Sequence, residues 1–477
     1  MSRPASVLHA TTELFPWMKT GGLADVTAAL PEALVQLGTD TRTVVPGFPS
    51  ILEALQEAEA VYEAQGLFGT ARLRVLRGRL PARSSLVYVI DAPSMYLRPG
   101  TPYAPPHGDD WGDNLMRFAL LGWVAAKLAS GEIDREWRPN VLHVHDWHPA
   151  LAHAYLADAW PPVKTVLTIH NIDYTGRFRP HDFHRLNLPH WLAAGLGPLE
   201  FFGDLCLLKG GMLLAHKVTT VSRTYAQEIL SGRHGSGLDT VARSRGDGIV
   251  GIVNGVDYGT WDPVSDPLLP AHYDREHLDG KAQCKLALRA RFNLVDRPDT
   301  PIFVIVSRLN RQKGLDLAAD AADALVEAGA QLVLVGSGDR HLEWRFQQLR
   351  DRHPQNIGVY FGYSEPLAHL AIAGGDVLVM PSRHEPCGLT QLYAKRYGTL
   401  PLVQANGGLA DTVDERTGFR FDERYTPLAE IVRQAIHRYH DRGQWLAMMS
   451  AAMRADHGWR QSAIEYQQLY DGLAGRQ

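Results

Sequence analysis

Residues 301–327 read PIFVIVSRLNRQKGLDLAADAADALVE. Pro301 to Val306 is apolar at consecutive positions, which suits a strand covered on both faces of a parallel sheet rather than one with a wet face. Ser307 to Lys313 is polar and basic. Gly314 then punctuates the chain, and Leu315 to Glu327 places its apolar residues at helical spacing. Strand, short loop and helix in succession form the repeating unit of a doubly wound parallel sheet with right-handed crossovers.

The same unit recurs in both directions. Strands are expected at Gln331 to Val335, Val359 to Phe361, Val377 to Met380 and Leu400 to Val403. On the amino-terminal side they are expected at Val7 to Thr12, Arg42 to Pro46, Leu86 to Ile90, Val141 to His145, Thr165 to His170 and Lys217 to Val221. Helices are predicted at Ala24 to Leu37, closed by Gly38, and at Gly388 to Tyr397. Residues 258–283 are polar and proline-rich without periodicity, so they are read as a linker. This gives domains at 1–257 and 284–457, with 458–477 a terminal helix crossing back to the first. One string repeats: Gly21-Gly22-Leu23-Ala24-Asp25 returns as Gly407-Gly408-Leu409-Ala410-Asp411. Each copy is read as a turn opening a helix near a strand's carboxyl end, where open α/β sheets bind ligands.

Composition narrows the function. A chain of 477 residues is long enough for two or three domains with cores of their own. Its net charge of −4 offers no broad basic field, so neither nucleic acid nor an anionic membrane is expected as a partner. The longest apolar window, Phe118 to Ala126, stops at Lys127, far short of the ~20 residues a span requires. The amino terminus shows no secretory signal pattern, and three scattered cysteines suggest a reducing, cytoplasmic location.

Four constellations carry chemistry. In Lys19-Thr20-Gly21-Gly22, paired glycines ahead of a helix let backbone amides approach an anion beside a mobile cation. In Ser307 to Leu315, Arg308 and Lys313 can converge at a sheet edge and suit a diphosphate; a solvated basic loop is the plain alternative. In Pro381 to Leu389, Glu385 could accept sugar hydroxyls or act only as a charge at a helix start. His143-Val144-His145-Asp146-Trp147-His148 has the ligand density of a metal site, but not the register of the HxHxDH hydrolases. No Walker loop occurs, and the one GxGxxG string, Gly246 to Gly251, leads into a strand rather than a helix. No DxD string is present, so a metal-bridged diphosphate is not indicated and no metal cofactor is expected.

Together the motifs LFPWMKTGGLADV, HVHDWH, TIHN, GIVNGVD, VSRLNRQKGLDL, PSRHEPCGLTQLY and GGLADTV resemble the bacterial glycogen synthases and plant starch synthases. The resemblance spans the chain. It implies two Rossmann-like domains of the GT-B type around a central cleft, acceptor side first and nucleotide-sugar side second. It implies transfer of glucose from ADP-glucose to the non-reducing end of glycogen or another α-1,4-glucan, with retention of configuration and no cofactor. By motif match, Lys19 would lie near the diphosphate, Arg308 and Lys313 would neutralise it, and Glu385 would hold the donor glucose. His170 would contact that glucose, Asp146 would stand on the acceptor side, and Tyr363 would lie against the adenine. Gly21, Gly22, Asn254, Gly407, Gly408 and the segment Cys387, Gly388, Leu389, Thr390 would line the substrate pocket. Departures from the pattern fall at Thr175, Phe202, Asp204, His384 and Asn406. Rival readings are a GT-B enzyme using UDP-glucose or another acceptor, a zinc hydrolase built on HVHDWH, and a glucan-binding protein without catalysis.

Overall fold

The computed structural model describes residues 4–157, 162–232 and 234–475. It divides into two compact units, Met1–Gly255 with Trp459–Gln477, and Val256–Gly458.

In chain order the strands of unit 1 are β1 (Val7–Ala10), β2 (Thr41–Pro46), β3 (Gln56–Ala64), β4 (Leu73–Arg79), β5 (Leu86–Asp91), β6 (Val141–His145), β7 (Lys164–Ile169), β8 (Arg177–Phe178), β9 (Glu200–Phe201), β10 (Asp204–Cys206), β11 (Lys217–Thr220) and β12 (Val250–Gly251). Strands β8, β10 and β9 form a small separate sheet, and the other nine run in the order β12-β11-β7-β6-β1-β2-β5-β4-β3. From β12 to β5 every pairing is parallel, whereas β4 and β3 add antiparallel. Neither β3 nor β4 is among the expected strands. QEAEAVYEA is rich in Ala and Glu, which favour helix, and its glutamates leave it a charged, exposed edge.

The helix Gly22–Gln36 buries Val26, Leu30 and Leu34 against Val7, Val141 and Val166. Gly38, at φ +85°, ends it by turning its amide back to the Val35 carbonyl. The last helix, Trp459–Leu473, packs Trp459, Ala463, Tyr466 and Tyr470 onto the same cluster. Its polar side bonds back as well, Ser462 Oγ to the Val253 carbonyl and the Ala5 amide to Asp471. Each buried ring contributes about 4–6 kcal/mol before entropy, at ~150–250 Å² and ~25 cal/mol per Å².

Unit 2 contains β13 (Ile302–Val306), β14 (Gln331–Gly336), β15 (Ile357–Phe361), β16 (Val377–Met380), β17 (Leu400–Gln404) and β18 (Phe419–Phe421), ordered β15-β14-β13-β16-β17-β18 and wholly parallel. The helix Leu315–Glu327 has the bounds its spacing predicts. The expected linker 258–283 is instead part of this unit. Trp261 is stacked between His369 at 3.7 Å and Tyr393 at 4.0 Å, while Asp266 pairs with His369 at 2.7 Å and accepts from the Tyr397 hydroxyl at 2.6 Å. Side-chain locks of this kind leave no periodic signature, so the segment reads as loose in sequence although it is packed. No helix among the described residues is long and apolar enough to cross a membrane.

Candidate active site

Among the parallel strands of each unit's main sheet there is one point where the chain reverses its direction of growth. In unit 1, β1 leads to β2 on one side while its other neighbour, β6, leads on to β7. In unit 2, β13 leads to β14 while its other neighbour, β16, leads on to β17. Loops diverge at such points and leave a crevice at the strands' carboxyl ends. The candidate residues occupy these loops: Lys19 after β1, Asp146 after β6, Arg308 and Lys313 after β13, Glu385 after β16.

In unit 1, Lys19 Nζ pairs with Asp25 at 2.9 Å and sits over the Phe15 ring. The amides of Thr20 and Gly21 are already engaged. Buried Glu13 accepts from both of them, at 2.7 and 3.2 Å, and from the hydroxyls of Thr20 and Tyr103, each at 2.5 Å. This corrects the expectation that the turn's leading amides face an exogenous anion, because the protein supplies its own carboxylate to them. The following amides, at Gly22 and beyond, open the helix Gly22–Gln36.

Asp146 is buried just past β6 at φ +60°, a conformation that Asp and Asn tolerate better than most residues. Its Oδ1 accepts the His170 amide at 2.7 Å. Burial raises its carboxyl to about 7, against the pull of the His170 and Asn171 amides. Asn254, in the turn after β12, is buried, and its side-chain oxygen lacks a partner among the described residues.

The HVHDWH cluster does not gather as a metal site would need. His148 turns away to stack on Tyr103 at 4.9 Å. His9 of β1 instead joins His143 and His145, their ring nitrogens within 4.8 Å of one another. All of these ring nitrogens except His9 Nε2 already have partners among the described residues: His143 meets the Tyr470 hydroxyl at 2.7 Å and Thr168 at 2.5 Å, and His145 meets His9 and His170. A cation bound there would have to displace those bonds.

In unit 2, Lys313 Nζ pairs with Glu385 at 2.6 Å, and Ser382 Oγ donates to the same carboxylate oxygen. The groups read as a diphosphate cation and a sugar acceptor are therefore one coupled pair. Arg308 is exposed, and its guanidinium has no ion pair among the described residues. Asn406 stitches the site together. Its Oδ1 accepts the Glu385 amide at 3.1 Å and its Nδ2 donates to the Ser382 carbonyl at 2.6 Å.

The repeated glycine pair serves two ends. A Cβ at Gly407 would meet the Glu385 carbonyl at 1.9 Å and one at Gly408 the Cys387 carbonyl at 2.3 Å, whereas a Cβ at Gly21 meets nothing. Close backbone approach forces glycine at both positions of the second copy, and does not do so at Gly21. Gln391 donates to the carbonyls of Cys387 and Gly388, each at 3.0 Å, and so braces the segment that continues through Leu389 to Thr390. Tyr363, after β15, is 73% exposed, with its hydroxyl bonded to Glu365.

Residues 6–244 match the family described as starch synthase catalytic domain, and residues 288–446 match glycosyl transferases group 1. The chain belongs to the glycogen and starch synthase family. Two glycogen synthases illustrate the likeness. That of Leptothrix cholodnii is 45% identical and that of Francisella philomiragia 43%, each over 98% of this chain and 99% of the relative. The catalytic domain of starch synthase IV from Arabidopsis thaliana, solved with ADP and acarbose, superposes with a TM-score of 0.88 at 27% identity, covering 99% of this chain and all of that one. A sucrose-phosphate synthase from Thermosynechococcus elongatus, at 18% identity and a TM-score of 0.61, shares the fold. As a member of the glycogen and starch synthase family, the chain is a GT-B hexosyltransferase.

Within this family frame, Glu13, Tyr103 and Asp25 are the residues that sequence reasoning missed. The available signal for Glu13 was a lone carboxylate in the otherwise uncharged stretch Ala10 to Met18, just ahead of KTGG.

Proposed function

We propose that this glycogen and starch synthase family member transfers glucose from ADP-glucose to the 4-hydroxyl at the non-reducing end of an α-1,4-glucan, with retention of configuration and without a metal. The observation that carries the reading is the placement of Arg308 and the Lys313–Glu385 pair on the two loops of the unit 2 switch point. An exposed cation beside a carboxylate–ammonium pair suits a sugar diphosphate, one group meeting phosphate and the other sugar hydroxyls. The bond from sugar C1 to the phosphate oxygen breaks, ADP leaves with the electron pair, and Arg308 with Lys313 offsets the charge that develops. The acceptor oxygen bonds to C1 on the same face, and its proton passes to the departing phosphate. In unit 2, Tyr363 stacks on the adenine and the Cys387–Thr390 segment lines the donor pocket; in unit 1, Asn254 binds substrate, His170 contacts the transferred glucose and Asp146 stands on the acceptor side. That the solved starch synthase IV is bound to ADP and acarbose supports an adenine nucleotide donor here. The reading carries with it a cytoplasmic location, in keeping with three buried free thiols.

The test is release of nucleoside diphosphate with glycogen as acceptor, ADP-glucose beside UDP-glucose. Glycogen-dependent ADP release is expected. Faster turnover of UDP-glucose, or no transfer from either donor, overturns the assignment.

A further inference from the structure

Three imidazoles run in series beneath the unit 1 site. His9 Nδ1 lies 3.1 Å from His145 Nε2, and His145 Nδ1 lies 3.0 Å from His170 Nε2. His9 and His145 are wholly buried, on adjacent strands of the sheet centre. His143 lies against His145 with ring centroids 4.1 Å apart, itself held by Tyr470 and Thr168. Burial holds all three rings of the series neutral at ordinary pH. It lowers His9 and His170 to about 3 and His145 well below its usual value, with Arg83 adding to the effect at His9.

Three neutral rings sharing two contacts can place their protons in only two ways, because each contact needs one hydrogen and His145 has one to give. In the first, every ring is protonated at Nδ1: His9 donates to His145, His145 donates to His170, and His170 Nδ1–H points onward. In the second, every ring is protonated at Nε2 and the direction is reversed. The second arrangement puts an N–H on His9 Nε2, which is buried and has no partner among the described residues. Buried N–H groups without acceptors are the rarer defect, and a lone pair at that position is better tolerated. The terminal atom, His170 Nδ1, bonds to none of the described residues, and the His170 backbone is fixed by Asp146.

We propose that His9 and His145 are positioning residues that lock His170 in its Nδ1–H tautomer, so that it presents a hydrogen-bond donor to an oxygen of the transferred sugar. Naming the sugar rests on the glucosyl-transfer reading; the polarity of the chain does not. The hydrogen bond on one ring nitrogen decides what the other can do, so a fixed tautomer turns an ambivalent side chain into a dedicated donor.

The first test uses no substrate. Long-range proton–nitrogen correlation spectra of ¹⁵N-histidine-labelled wild type and His170→Gln identify the His170 signals by difference. Nitrogen shifts of the Nδ1–H form are expected, and shifts of the Nε2–H form overturn the proposal whatever the enzyme's substrate. The second test is kinetic, with ADP-glucose and glycogen. His145→Leu should lower kcat by about 10–100-fold, as loss of a partner behind a functional histidine does, with KM within about threefold. His145→Asn, whose amide nitrogen lies where Nδ1 lay, should restore most of that loss. Equal losses in both variants, tracking equal losses of thermal stability, would show a structural role and sink the idea, as would wild-type kcat in His145→Leu. Should His145→Leu fail to fold, the tautomer measurement alone decides. If wild type does not turn over ADP-glucose, the glucosyl-transfer reading fails while the tautomer result stands.

Discussion

Glu13 should be as necessary as the residues assigned to substrate, through the turn that it holds. Its carboxylate accepts four hydrogen bonds, two from the Thr20 and Gly21 amides and two from the hydroxyls of Thr20 and Tyr103. At 2% exposure these bonds escape solvent competition. In Glu13→Gln the carbonyl oxygen can keep both amides, and the two hydroxyls can rotate to accept from the new NH₂ group. What is lost is the charge assistance, about 2–3 kcal/mol in all. At ~2–4 °C per kcal/mol for a unit of this size, Tm should fall by roughly 5–10 °C. Glu13→Ala also leaves both amides without their acceptor and should cost about 4–6 kcal/mol. Tyr103→Phe removes one bond and should cost about 1–2 kcal/mol. Because the clamped turn follows directly on Lys19, kcat should fall with the same ranking, and a displacement of ~1 Å there corresponds to about 10²-fold. Calorimetry and ADP-release kinetics on the three variants check the series. A Glu13→Gln protein with wild-type Tm and kcat would refute the clamp.

Arg308→Ala and Lys313→Ala should each lower kcat by about 10²–10³-fold. They should differ in stability, since Arg308 has no ion pair among the described residues, whereas loss of Lys313 strands Glu385, 7% exposed at its side chain, at about 2–4 kcal/mol; equal melting temperatures for the two variants would contradict this. The Asp146 carboxyl is raised to about 7 from an unfolded value near 3.8, so the folded state holds the extra proton between those limits. Wild-type stability should therefore be fullest below about pH 3.8 on this account and fall as pH rises toward 7 and just beyond. Asp146→Asn, which keeps the acceptor oxygen and tolerates positive φ, should flatten that slope and melt higher than wild type at pH 8, by on the order of 2–4 kcal/mol; an unchanged slope in thermal scans from pH 5 to 8 counts against the buried carboxyl. EDTA should leave activity intact, and inhibition reversed by zinc would instead favour a cation among His9, His143 and His145.

The strands that could be read directly were those buried on both faces. IFVIV and VLHVH leave little alternative to a central parallel strand, and Gly38 marks its helix end through a positive φ that glycine adopts freely. The edges were illegible for the opposite reason. QEAEAVYEA carries helix-forming residues, and only β4 beside it makes it a strand. The cations and carboxylates of the site were visible as residue types at strand ends, and the family resemblance supplied their roles. Their pairings were not visible. Lys313 meets Glu385 across 72 residues, and Asn406 bridges to Ser382 and Glu385 only because β16 and β17 are neighbours. The polar linker reading failed because Trp261 and Asp266 are locked by partners more than a hundred positions away.

The closing helix Trp459–Leu473 makes synthesis order matter. Unit 2 is one continuous stretch, and the ribosome completes it before Trp459 emerges. Unit 1 begins first and finishes last. While residues 256–458 are being made, about 10–40 s at ~5–20 residues per second, the face of Val7, Val26 and Val141 lacks the tyrosines that will cover it. The ordinary sequence, in which the leading domain is folded before the next appears, is thus inverted. Nascent unit 1 carries an uncovered apolar stripe through that interval. A chain that stops just short of Trp459 can possess a finished second unit and still have no finished first one.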